Sequence, residues 1–173
     1  MSDNNTENLN TETTQEESTN DSQSMNIIER MGDILNNAPN ITSFTNKVHH
    51  DFTANKPGDN FGLYSVGDAI VSKDILGNEV RRHNFKLYAH NQAYTDYDRL
   101  VNSGFLLELS YYLESITEAS GYDVEVKLGE TTKSGRLTEV SCANAMLYQV
   151  PTGNINDGVE YQVQLYATYK VNN

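Results

Sequence analysis

The spacing of hydrophobic positions changes period several times along the chain, and each change marks an element. Ile27, Ile28, Met31, Ile34 and Leu35 recur at helical spacing. Ser24 stands where an N-cap belongs and Pro39 lies just past the end, which predicts a first helix over Met25–Asn37. A strand around Ser43–His50 follows, then the loop signal Lys56-Pro57-Gly58-Asp59-Asn60. From Phe61 to Ala93 the pattern is that of two or three strands, with Gly77-Asn78 as the hairpin turn between them. In the second arm Phe85, Leu87 and Ala89 share one face, and Asn84, Lys86, Tyr88 and His90 share the other, as in a strand with one buried side.

The period returns to that of a helix at Thr95, a good N-cap whose partner three residues on is Asp98. Asp96 and Asp98 also suit the positive end of a helix dipole. Tyr97, Leu100, Val101, Gly104, Leu107 and Tyr111 fall on one side, which is expected to pack on the sheet. Leu106, Leu109 and Leu113 cluster on another side, so this helix is apolar on more than one face. Asn102-Ser103-Gly104 is weak helix material, and Gly104 either admits a strand closely or marks a kink. Tyr122–Leu128 and Thr138–Val150 alternate again, the turn-rich PTGNINDG follows, and Tyr161–Val171 alternates most cleanly of all. The last two runs predict a long antiparallel hairpin. Segregated helices and hairpins predict an α+β domain: an antiparallel sheet of about four strands with its helices packed on one face.

Composition divides this chain in two. Residues 1–24 hold six acids, no Lys or Arg, and no apolar residue after Met1 except Leu9. Such a segment cannot bury enough surface to offset its ordering entropy, so a disordered acidic tail is expected over 1–24 and a single domain over 25–173. The net charge of −12 argues against wrapping DNA phosphates, which takes clustered Lys and Arg. A single cysteine, Cys142, precludes an internal disulfide, and its place in an alternating run suits a small core residue. No secretory leader or membrane-length apolar run is present, which suggests a cytoplasmic soluble protein.

Candidate chemistry is sparse. His83 and His90 are seven apart on one strand and therefore face opposite ways, as adjacent His49 and His50 also would. Capping accounts for Asp96 and Asp98. Gly153–Gly158 lacks the alternate acids and closing Glu of a calcium loop. Arg81, Arg82 and Lys86 suggest a salt-bridged face. No phosphate-binding glycine pattern, nucleophile elbow or CxxC occurs. No catalytic, cofactor or metal residue is therefore assigned, and no cofactor is expected.

The succession FGLYSVGDAIVSKDILGNEVRRHNFKLYAHN, LVNSGFLLELSYYLE and YQVQLYATYK resembles a family of small phage and prophage proteins of Gram-positive hosts, the minor capsid or tail terminator proteins of long-tailed phages. Gly62–Tyr64, Gly77-Asn78, Asn84–Ala89, Asn102-Ser103-Gly104-Phe105 and Tyr161–Tyr169 carry the resemblance, over roughly residues 25–173. It implies an α+β fold and a non-enzymatic virion protein of the tail or neck, assembled in the host cytoplasm as a hexameric ring. Such a ring caps the tail tube and joins it to the head connector, with DNA passing through the lumen unbound and no membrane involved. Its partners would be copies of itself, the tail tube protein and the connector. Leu106, Leu109 and Leu113 would then be the stripe offered to a neighbouring subunit, unless the first helix covers them within the same subunit. Alternative readings are a head–tail connector or minor capsid component, and a small-ligand-binding or enzymatic α+β domain.

Overall fold

A computed structural model describes residues 25–54, 58–93, 95–149 and 158–173. The expected tail over 1–24, the Lys56-Pro57 part of the loop and the turn after Val150 lie outside the described residues.

Helix α1 (Ile27–Asn36) starts two residues later than its sequence suggests. Its cap is Asn26, not Ser24: the Asn26 Oδ1 accepts from the Ile28 and Glu29 amides at 2.9 and 3.0 Å, and the Glu29 carboxylate reaches back to the Asn26 N–H. Of the strand expected around Ser43–His50 only β1 (Val48–His50) forms, and a short 3-10 turn (Ile41–Ser43) precedes it. Then come β2 (Phe61–Lys73), β3 (Glu79–Asn91), α2 (Asp96–Glu114), β4 (Asp123–Leu128), β5 (Thr131–Gln149) and β6 (Val159–Val171). The Thr95 cap forms as expected, with Asp98 completing the reciprocal box.

The expectation of an α+β fold on about four antiparallel strands is overturned. The described residues are mostly β, in one curled mixed sheet of order β1-β2-β3-β6-β5-β4 with two α-helices. Two features account for the difference. The connection after His50 returns β1 to the start of β2, so that Val48 pairs Phe61 in parallel at the outer edge. At the other edge β4 pairs β5 antiparallel, Asp123 opposite Arg136. Bulges at Ser65/Gly67 and Ile70/Ser72 in β2, and at three points in β5, bend the long strands.

Helix α1 ties the two edges together. Its C-terminal side chain Asn36 accepts from the Val48 N–H of β1 at 2.8 Å, while its Arg30 Nε donates to the Asp123 carbonyl of β4 at 2.9 Å. The Glu125 N–H of β4 also donates to the Met25 carbonyl at 2.8 Å. Six flat strands would set their edges about 24 Å apart, whereas a helix of ten residues is about 15 Å long. One short helix reaches both edges because the sheet curls around it. The core inside the curl joins Met31, Ile34 and Leu35 of α1 to Phe61, Leu63, Phe85 and Leu87 of β2–β3 and to Tyr161, Val163 and Leu165 of β6.

Candidate functional site

Helix α2 faces the opposite way from its expected orientation. Asn102, Phe105, Leu106, Leu109, Ser110 and Leu113 form the buried face, in steps of three and four residues. Leu106, Leu109 and Leu113, the residues predicted to meet a neighbour, are 2, 3 and 0 % exposed inside the chain's own core. The helix as a whole lies mainly over β5, and the three leucines belong to the chain's own core rather than to a surface offered to a neighbour. The cause is Phe105, which stacks on Phe44 with ring centroids 3.9 Å apart and meets Phe61 edge-on at 6.1 Å. That ring anchors its own side of the helix to the core. Ser110 turns its hydroxyl back to the Leu106 carbonyl, 2.9 Å away, keeping the surface toward β5 compact.

The face expected to pack on the sheet is outside. Tyr97, Leu100 and Tyr111 are 73, 69 and 61 % exposed, and Val101 and Leu107 are also exposed. Beside them is a groove of about 380 Å³ between α2 and the 3-10 turn. Phe44, Val101, Gly104 and Phe105 line it, and Asn40, Ser43 and Glu108 add polar groups. A Cβ placed on Gly104 would have no neighbour within 4 Å among the described residues, so no close-packed strand among them requires glycine there.

A second bare surface is the distal half of the β2–β3 hairpin. Among the described residues β2 has an outer partner only at Phe61–Leu63, where β1 lies; beyond that its outer edge is open. Val66, Ile70 and Val71 are exposed there, and Ile75 and Leu76 are exposed at the tip. The tip itself is well braced. Asp74 Oδ1 accepts from the Leu76 and Asn78 amides at 2.8 and 2.9 Å, and Asp74 Oδ2 accepts from the Asn78 side chain at 2.8 Å. These bonds, that from the Asn78 side chain foremost, hold the Asp74 carboxyl below its usual range. Gly77 supplies the positive φ of 88° that closes the turn. Two residues past the end of β6, the Asn173 amide donates to Asn78 Oδ1 at 2.9 Å and its side chain donates to the Leu76 carbonyl at 3.1 Å.

The hairpin's inner face carries a polar cluster that sequence reading missed. Arg81 bonds Asp68 at 2.6 Å and Glu79 at 2.8 Å, and the Tyr169 hydroxyl donates to Asp68 at 2.7 Å. Ser65 Oγ lies 2.8 Å from His83 Nε2, and His83 Nδ1 lies 3.5 Å from Asp68. The order serine, histidine, aspartate resembles that of a hydrolytic triad, but the chemistry does not follow. The Nδ1–Asp68 separation is too long to orient the ring, and Asp68 is committed to Arg81 and Tyr169. Ser65 also sits within an exposed strand rather than on a strained strand-to-helix turn. Burial lowers the His83 pKa, with Asp68 only partly opposing it, so the imidazole is neutral at physiological pH. A signal for this cluster was present: Glu79, Arg81 and His83 continue the alternation of Phe85, Leu87 and Ala89, which places them on the core-facing side.

The remaining sequence candidates are quiet. Burial, with the Glu114 carboxylate adding to it, pushes the Cys142 thiol up to about 12, leaving it inert. Arg81 is ion-paired as expected of a salt-bridged face. Asp98 caps α2, and Asp96 pairs with Arg99. Among the described residues no group of three His, Cys, Asp or Glu side chains is arranged to hold a metal ion. No helix among them is long and apolar enough to cross a membrane. Compared with known proteins, the chain matches no family model and no curated relative.

Proposed function

We propose that the protein is a structural virion assembly subunit, a phage tail terminator that acts as a ring of copies. The observation that carries this reading is the apolar stripe Tyr97–Leu100–Val101–Leu107–Tyr111 on the outside of α2, in a chain whose net charge is −12. A protein this polar gains nothing as a monomer from a row of exposed aliphatic and aromatic side chains, and such rows mark contact surfaces. The open hairpin supplies a second surface on a different part of the molecule, as a head-to-tail contact requires. The resemblance of residues 25–173 to tail terminators supplies the biological setting. The best candidate for a hydrolytic site, Ser65–His83–Asp68, has the wrong geometry for catalysis.

The mechanism is steric. A ring seated on the last ring of the tail tube occupies the surface where the next would dock, and its free face is available to the head connector. The acidic composition disfavours adhesion of DNA passing through the lumen.

The test is negative-stain microscopy of lysates from a phage in which this gene carries an early stop codon. Overlong tails of uneven length, detached from filled heads, are expected. Tails of normal length that fail to join heads would replace the terminator reading with a connector role. Normal virions would overturn both.

A further inference from the structure

We infer that the acidic segment 1–24 docks back on the outer face of strand β3 of its own chain, Glu16 against Arg82 and Glu12 against Lys86. The inference stands apart from the ring reading and concerns a surface that reading does not use.

The outer face of β3 differs in charge from the rest of the molecule. Arg82 is exposed and Lys86 partly so, both on the side turned away from Phe85 and Leu87. Of the five arginines, Arg30, Arg81, Arg99 and Arg136 each have a carboxylate partner. Among the described residues Arg82 has none, and neither has Lys86. Their neighbours across the sheet are uncharged: Ala69 and Thr168 beside Arg82, Tyr64 and Gln164 beside Lys86. The nearest acid in these rows is Glu139, opposite Thr168 and two strands from Arg82, about 10 Å away. Two unpaired cations thus stand on one face of a chain whose net charge is −12.

The same chain carries a matching polyanion. Residues 1–24 hold six acids and no Lys or Arg. Glu12 and Glu16 are four residues apart, as are Lys86 and Arg82. Along an extended chain that separation is about 13 Å, and it returns to the same face. A two-point contact therefore asks no distortion of either partner.

Reach selects this pair of acids. The described chain begins at Met25, whose carbonyl accepts from the Glu125 N–H of the edge strand β4. Glu125 pairs Ser134, and the Ser134 carbonyl accepts from Asn172, just past the Val171–Glu79 pair. Met25 is therefore level with Asn78 at the start of β3, three strand spacings or about 14 Å away. Arg82 and Lys86 lie four and eight residues along β3 from Asn78, which makes the surface paths about 19 and 30 Å. Glu16 is nine residues from Met25 and Glu12 thirteen, spanning about 30 and 43 Å when extended. The surplus, about 11–13 Å, lets the chain round the β4 edge from the concave side, across a layer about 10 Å thick. Asp21 and Glu17 fall short once that edge is rounded. Asp3 and Glu7 would close a longer loop at greater entropic cost. Exposed ion pairs are individually weak and screened by salt, so the segment covers this face reversibly.

Zero-length carbodiimide coupling of the full-length protein tests this, because it joins a lysine only to a carboxylate in direct contact. Peptide mapping of wild type at low ionic strength is expected to find Lys86 joined to Glu12, and several-fold less of that product at about 1 M salt. Arg82→Glu and Glu16→Lys, both surface substitutions, should each lower the yield several-fold, and the two together should restore it. Lys127 is the internal control. It lies on β4 beside the origin of the segment, in a cleft with Glu29 and Glu125, where an undocked segment would couple first. Coupling of the segment mainly to Lys127, or equally to Lys47, Lys86 and Lys127, would overturn the inference. A Lys86 yield indifferent to Arg82→Glu would overturn it as well. Mixing isotopically heavy with ordinary protein before coupling identifies the copy that is joined. Unmixed products are expected, and mixed ones would overturn docking within one chain.

Discussion

The two halves of strand β2 are built from similar residues and meet different fates. Phe61, Gly62 and Leu63 are buried, whereas every residue from Ser65 to Lys73 is exposed. The first half lies between β1 and β3, with Phe105 of α2 against it. The second half has β3 on one side and an open edge on the other. The bulge at Ser65/Gly67 marks the change. Across it the inward-facing partners on β3 switch from Phe85, Leu87 and Ala89 to His83, Arg81 and Glu79. Carbon holds the covered half together, and hydrogen bonds hold the bare half. The bonds that Arg81 and Tyr169 donate to the Asp68 carboxylate tie β3 and β6 to β2. The sheet thus projects a hairpin that is stiff and still uncovered.

The sharpest way to break this comparison is to delete carbon from each region. Leu109→Ala or Leu63→Ala, at fully enclosed sites, should cost about 2–5 kcal/mol of unfolding free energy. Val71→Ala or Leu100→Ala, at exposed sites, should stay within about 0.5 kcal/mol for the isolated subunit. Urea denaturation at low protein concentration measures both. Equal costs at the two kinds of site would mean that the bare surfaces are covered within the subunit after all.

Next in size is the polar cluster. Asp68→Asn keeps the shape and removes the charge facing Arg81, Tyr169 and His83. The expected loss is about 1–3 kcal/mol, the cost of leaving hydrogen-bonded partners unsatisfied. Hydrogen exchange should register it at β2 and β3 amides of the distal half, ahead of those around Leu63 and Leu87. Uniform acceleration would mean that the two halves unfold as one unit.

A smaller effect of opposite sign is expected at Gly104. Gly104→Ala places a methyl group in open space on a helix and should stabilise the isolated subunit by up to about 1 kcal/mol. Thermal melts test it. A loss of stability would place an unseen neighbour over Gly104 within the subunit.

Much of this organisation was legible in the sequence, for identifiable reasons. Strands β3 and β6 are paired along their whole length without a bulge, so their alternation reads cleanly. The hairpin at Gly77-Asn78 and the Thr95 cap depend on near neighbours, and both formed as expected. Of strand β5 the bulged part from Thr138 onward was read, and the missed part is the polar run Thr131–Leu137, whose partner over Thr131–Arg136 is the edge strand β4. The parallel β1 edge depends on a loop's return path, which periodicity does not encode. Helix α2 was misread because leucines stand on both of its sides; the ring of Phe44, far off in sequence, decides which side goes in. The polar cluster joins Asp68 to Tyr169 across 101 positions, a separation no local pattern spans.

The smallest expected effect follows from the histidine at the boundary between the two halves. Burial lowers the His83 pKa from the ordinary 6.5, with Asp68 partly opposing the shift. Below 6.5 the unfolded chain takes up a proton at this ring while the folded chain still resists it. The stabilising contribution is therefore complete above the ordinary value and is lost as pH falls through the depressed folded value. Urea midpoints compared between about pH 7.5 and 5 should drop more for wild type than for His83→Gln, whose side chain does not titrate there. Other carboxylates begin to titrate in the same range, so the difference between the two proteins, not the drop itself, carries the test. Identical drops would mean that the imidazole is solvated in the folded state.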